Sequence, residues 1–142
     1  MLATTPSLRS NARPASADPA LIFVVDDEPM IGEVVSVILN LEGYRHRFFL
    51  NPKHALEAIE RGEERPDLLL TDFVMPPFNG LELIERARHV LPGLRTILYS
   101  GNVGQDIINQ CNVKPDAFLA KPFLPKALLE LVAKTLEADV RP

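Results

Sequence analysis

The chain has 142 residues and a net charge of −4, from 15 basic and 19 acidic residues. That length suits one domain plus a tail and lets the fold bury roughly two thirds of the unfolded surface. The acidic balance argues against non-specific nucleic-acid binding, which needs a basic face, and the single cysteine, Cys111, excludes an internal disulfide and shows no cysteine-based metal motif, so that a reducing cytoplasm is the simplest setting.

Residues 1–19 are rich in Ala, Pro, Ser and Thr without periodicity and read as a disordered leader. They carry Arg9 and Arg13 but no apolar h-region, so a secretory signal is not expected. No apolar run anywhere approaches the ~20 residues of a membrane span. The folded domain is expected over 20–140.

Leu21-Ile22-Phe23-Val24-Val25 is continuously apolar, as in a strand covered on both faces. Pro29 suits the first turn of a helix, and Ile31, Val34, Val35, Ile38 and Leu41 follow at helical spacing as its expected inner face. Gly43 suits its C-terminal cap. Tyr44 to Phe49 mixes aromatic and basic residues, as an edge strand does. Asn51-Pro52 reads as an N-cap and first turn, with Ala55, Leu56 and Ile59 buried behind it and Gly62 and Pro66 closing the helix. Asp67 to Thr71 is the third strand. Gly80 to Val90 is the third helix, with Leu83, Ile84, Ala87 and Leu91 inward, stopped by Pro92-Gly93. Thr96 to Tyr99 is the fourth strand. Gly104 to Cys111 is a weaker helix anchored by Ile107, Ile108 and Cys111, Ala117 to Ala120 the fifth strand, and Pro125 opens a last helix with Leu128, Leu131, Val132 and Leu136 inside. Five strands alternating with five helices predict an α/β fold: a parallel sheet covered on both faces, joined by right-handed crossovers.

The polar residues of interest sit just past strand ends. Asp26 and Asp27 follow the first strand, Asp72 the third, Ser100 ends the fourth, and Lys121-Pro122 follows the fifth. In an open parallel sheet these ends share one edge, where ligands bind. Carboxylates crowded together repel unless a cation neutralises them. An all-oxygen set with a lysine nearby suits Mg²⁺ completed by phosphate oxygens. An aspartate can serve as nucleophile and carry an aspartyl-phosphate. A metal, an ammonium and a hydroxyl could then hold the three equatorial oxygens of a transferring phosphoryl group.

These residues, in this order, resemble the receiver domain of bacterial two-component response regulators over about residues 20–140. The matching features are Asp26-Asp27, Asp72 within D-x-x-M-P-x-x-N-G, Ser100-Gly101 and Lys121-Pro122. The resemblance implies a flavodoxin-like (βα)5 sheet in the order 2-1-3-4-5. It implies Asp72 as phosphoacceptor, and Mg²⁺ held by Asp27, Asp72 and the backbone carbonyl of Val74, with Asp26 acting through water. Lys121 and Ser100 would contact the phosphoryl group, Ser100 and Phe118 would form the switch, and Pro122 would follow a cis peptide bond.

Three departures from the family pattern stand out. Ser100 replaces the commoner threonine, Phe118 lacks the hydroxyl of the commoner tyrosine, and Pro77 doubles the proline after Met75. Val74 and Asn102 border the path of an attacking water, and apolar Val74 predicts slow to moderate self-dephosphorylation. The expected partners are a histidine kinase or histidine phosphotransfer protein, docking near Pro29, Met30, Ile31 and Phe123, and a downstream protein near Ile107, Phe118 and Leu128. No output domain is expected after the last helix, so neither direct nucleic-acid contact nor membrane contact is expected, and the chain is read as a monomer or a phosphorylation-dependent dimer. It is not expected to be an enzyme beyond self-phosphorylation and self-dephosphorylation. The alternatives are a phosphorylation-independent module of the same fold, a receiver fragment of a larger hybrid kinase or regulator, and an Mg²⁺-dependent phosphohydrolase. The last usually carries an acid two residues after its nucleophile, where this chain has Val74.

Overall fold

The computed structural model describes residues 19–101 and 112–137. Five strands, β1 (Leu21–Val25), β2 (Arg45–Phe49), β3 (Leu68–Asp72), β4 (Arg95–Ser100) and β5 (Ala117–Ala120), form one sheet in the order β2-β1-β3-β4-β5. Every neighbouring pair is parallel. The described helices are α1 (Pro29–Leu41), α2 (Pro52–Arg61), α3 (Gly80–Val90) and α4 (Pro125–Glu137). The helix expected over 104–111, with Ile107 and Cys111, lies outside the described residues, as does the tail up to residue 18.

The central strands are apolar on both sides because both sides are covered. Leu21, Phe23 and Val25 of β1, Leu69 of β3 and Leu98 of β4 join a core with α2 and α3. The alternate residues, Ile22, Val24, Leu68, Leu70, Ile97 and Tyr99, join a second core with α1 and α4. This period of two is the strand's own geometry. Edge strand β2 instead exposes Arg45 and Arg47, and Arg47 pairs with Glu64, so charge blunts the edge.

Local chemistry sets the helix ends. Asn51 Oδ1 accepts from the Lys53 amide at 2.7 Å, and α2 stops at Gly62 in the left-handed region, φ 74°. At α3, the Asn79 side chain accepts from the Glu82 amide while Glu82 accepts from the Asn79 amide, both at 2.9 Å.

Helix α1 corrects the sequence expectation. Its buried residues are Gly32, Val35, Ile38 and Leu39, whereas Val34 is 54% and Leu41 80% exposed. The helix is apolar on more than one side, so periodicity alone could not choose the inner stripe. Gly32 decides it: a Cβ there would overlap the ring of Phe48, so the helix meets β2 along its glycine side. In α4, Leu131 is only half-buried, while Leu128, Val132 and Leu136 are core. Leu128 therefore cannot form the docking surface expected for a downstream partner.

The start of α3 presses against the end of β3. The Gly80 amide donates to the Phe73 carbonyl at 2.8 Å, and a Cβ on Gly80 would collide with the Asp72 carbonyl oxygen and lie 2.8 Å from Leu98 Cδ1. We expect Gly80→Ala to cost roughly 1–3 kcal/mol through overpacking against backbone. Asn79→Ala should cost about 1 kcal/mol through loss of the cap. Urea unfolding of both variants checks this, and an unchanged midpoint for Gly80→Ala would contradict the close approach.

Candidate functional site

The parallel sheet delivers the strand-end residues to one edge. One carboxylate oxygen from each of Asp26, Asp27 and Asp72 lies within 4.8 Å of the other two. Asp26 is fully buried, Asp72 is 8% exposed, and Asp27 faces solvent at the mouth. Lys121 Nζ stands 3.4 Å from Asp26 Oδ2 and 3.5 Å from Asp72 Oδ2, bridging the two buried acids. Its backbone amide donates to the Ser100 carbonyl at 3.1 Å, which ties the β5 end to the β4 end. The Lys121–Pro122 peptide is cis, as the resemblance implies. A second cis peptide, Pro76–Pro77, lies in the β3–α3 loop and was not anticipated.

The acids are further held by hydrogen bonds. Asp26 Oδ1 accepts from the Glu28 amide at 2.9 Å, and Asp26 Oδ2 accepts from the Tyr99 hydroxyl at 2.8 Å. Asp72 Oδ1 accepts from the Phe73 amide at 2.8 Å. Tyr99 is the residue that sequence reasoning missed. It was read only as the last residue of the fourth strand, although a tyrosine within a fully buried strand must find a partner for its hydroxyl. Ser100 is buried at the end of β4 beside this group. Phe118 is half-buried and packs against the other core, with α2 and α3. Val74 lies in the loop after β3 and is 52% exposed. Asn102 is outside the described residues. Phe123, expected at the kinase-facing surface, packs partly buried against Tyr99, with ring centroids 5.8 Å apart.

Acids before strands have other work. Asp67 Oδ2 accepts from the Leu21 amide at 2.8 Å, and Asp116 Oδ2 accepts from the Thr96 amide at 2.8 Å and lies 3.5 Å from Arg88. Both tie elements together at the opposite edge of the sheet.

Three carboxylates against one ammonium leave the pocket with surplus negative charge. Its donors are all oxygen, and one of them, Asp27, is open to solvent. That set fits a hard divalent cation such as Mg²⁺, which keeps waters and is commonly completed by a ligand's oxygens. Burial pushes the Asp72 carboxyl above the ordinary aspartate value, the Lys121 ammonium opposes the rise, and the Asp26 charge adds to it. Burial first, and Asp26 second, hold the Tyr99 phenol well above its usual range, so it stays a donor.

A raised carboxyl has a definite linkage sign. The folded state binds the proton more tightly than the unfolded one, so stability falls as pH rises through the raised value. Asp72→Asn, which can keep the Phe73 hydrogen bond, should therefore unfold at a higher temperature than wild type at about pH 7 without divalent cation. The gap should close below about pH 4, where the unfolded aspartate also protonates. Thermal melts in chelator across that range check it, and a destabilised variant at neutral pH would contradict it.

The family model for the response regulator receiver domain matches residues 22–133. The probable transcriptional regulatory protein TcrX of Mycobacterium tuberculosis is 32% identical over 112 residues, covering 78% of this chain and 47% of that protein. The DNA-binding response regulator MtrA of Mycolicibacterium smegmatis is 32% identical over 120 residues, covering 83% of this chain and 51% of that protein. The chain thus spans about half the length of the curated relatives it matches. Their names speak of transcription and DNA binding, so the expectation of no nucleic-acid contact draws no support from them. Among solved structures, a CheY-like receiver domain protein from Methanospirillum hungatei superposes with a TM-score of 0.77 at 30% identity, over 84% of this chain and 95% of that one. With the fold, the strand-end acids and these likenesses in agreement, the chain belongs to the response regulator receiver domain family.

Proposed function

We propose that this domain accepts a phosphoryl group on Asp72 from a phosphohistidine of a kinase or phosphotransfer protein. The observation that carries this reading is the bridge Asp26–Lys121–Asp72 beside a third carboxylate, Asp27. An Asp72 oxygen attacks phosphorus, the phosphorus–nitrogen bond breaks, and its electron pair leaves with the imidazole. Asp27, Asp72 and the Val74 carbonyl would hold Mg²⁺, with Asp26 reaching it through water. Bound there, the ion would neutralise the crowded oxygens of donor and acceptor. Lys121 balances the same charge from the protein side, and Ser100, buried at the end of β4, would bond a phosphoryl oxygen through its hydroxyl and shift with it. Phe118 would move with Ser100.

The phosphorylated domain then signals by contact with a downstream protein or a further output segment, as a monomer or as a phosphorylation-dependent dimer. Its chemistry ends at phosphoryl acceptance and loss rather than turnover of a small substrate. No acid stands at Val74 to activate a hydrolytic water. Among the described residues no helix is long and apolar enough to cross a membrane. A cytoplasmic setting is part of this proposal.

For the donor we propose α1 as the docking face. Met30, Val34, Val37 and Leu41 recur at spacings of four and three and are all exposed, at 76%, 54%, 59% and 80%. Such a stripe fits the apolar face of a helix carrying the phosphohistidine.

Intact mass after incubation with a small phosphodonor tests the acceptor role. One Mg²⁺-dependent adduct, absent in Asp72→Asn, is expected, and an equal adduct on that variant would overturn the assignment. Val34→Asp should slow transfer from a cognate phosphohistidine protein on the order of tenfold. The same variant should leave labelling by the small donor unchanged, and equal slowing of both would contradict α1 docking.

A further inference from the structure

We propose that Tyr99 is a positioning residue for the metal pocket, acting through Asp26 and Lys121. The inference rests on the phosphoacceptor reading above. Tyr99 lies on β4, in register with Asp72, and β3 stands between its strand and β1. Its hydroxyl nevertheless reaches the first acid of the β1 pair, donating to Asp26 Oδ2 at 2.8 Å. The Lys121 ammonium stands 4.7 Å from the Tyr99 ring centroid, and the Phe123 ring packs 5.8 Å from it. Tyr99 itself is fully buried.

One side chain therefore touches two of the charged groups of the pocket by different forces. The hydrogen bond fixes the rotamer of Asp26. The ring face attracts the ammonium that bridges Asp26 and Asp72. Together with the Glu28 amide on Oδ1, these contacts engage both oxygens of Asp26. An acid so committed is well placed to act on a cation through water rather than by direct ligation. Groups in the outer shell that orient what surrounds a metal matter to its binding almost as much as the ligands themselves.

Tyr99→Phe removes the hydroxyl and keeps the ring. Calorimetric titration with Mg²⁺ should show its affinity reduced on the order of tenfold. In the Asp26→Asn background the same substitution should have little further effect, because the two residues act as a pair. Phe in place of Tyr that binds Mg²⁺ within about twofold of wild type overturns the proposal, as does an undiminished effect in the Asp26→Asn background. The intact chain offers a second readout that needs no variant to fold. It contains two tyrosines, Tyr44 and Tyr99. With carbon-13 at the tyrosine Cζ, Mg²⁺ should shift the Tyr99 resonance and leave Tyr44 in place, and an unmoved Tyr99 signal under saturating Mg²⁺ overturns the idea. A wild-type chain that binds no Mg²⁺ overturns the phosphoacceptor reading and this inference with it. Normal wild-type binding with an indifferent Tyr99→Phe overturns this inference alone.

Discussion

Asp26 is a fully buried carboxylate with another, nearly buried, beside it, and everything at the sheet edge is arranged around making that tolerable. Two such charges repel in a medium far less polarisable than water, and an unpaired one would simply take up a proton. Lys121 answers them from between, within 3.5 Å of each. The Glu28 amide and the Tyr99 hydroxyl add one hydrogen bond to each oxygen of Asp26. The pocket is still negative once Asp27 is counted. Such an all-oxygen set suits a hard cation, and under the proposed function that ion would bring phosphoryl oxygens with it.

The fold supplies the geometry at little cost. Helical crossovers between successive strands make them parallel, and parallel strands end together. The side of the sheet on which an acid sits therefore sorts its role. Asp67 and Asp116, before strands, accept from backbone amides of Leu21 and Thr96 and lock neighbouring elements. Asp26, Asp27 and Asp72, at or after strand ends, gather on one another. Residue type alone does not distinguish the two sets.

Much of this was legible in the sequence because it rests on short-range rules. Continuous apolar runs marked β1 and β3, and Asn51-Pro52 marked the start of α2, whose cap the structure contains. The order of Asp26-Asp27, Asp72, Ser100 and Lys121 placed the pocket. What the sequence hid rests on packing between elements. The inner stripe of α1 was misread at Val34 and Leu41 because Phe48, on another strand, selects the side of Gly32. Leu128 was assigned to a contact surface although it lies wholly in the core. Tyr99 was passed over because its partner is 73 residues away, and no local pattern announces so distant a pairing.

Groups from β1, β3 and β5 that form one cation site, rather than separate surface charges, must answer Mg²⁺ together. A Mg²⁺ titration of the labelled intact chain, followed through backbone amide resonances, decides this. One saturable transition should move Asp26, Asp27, the Phe73–Val74 amides and Lys121 together with a single affinity. Shifts confined to exposed Asp27, or separate affinities for the β1 and β3 ends, would contradict it.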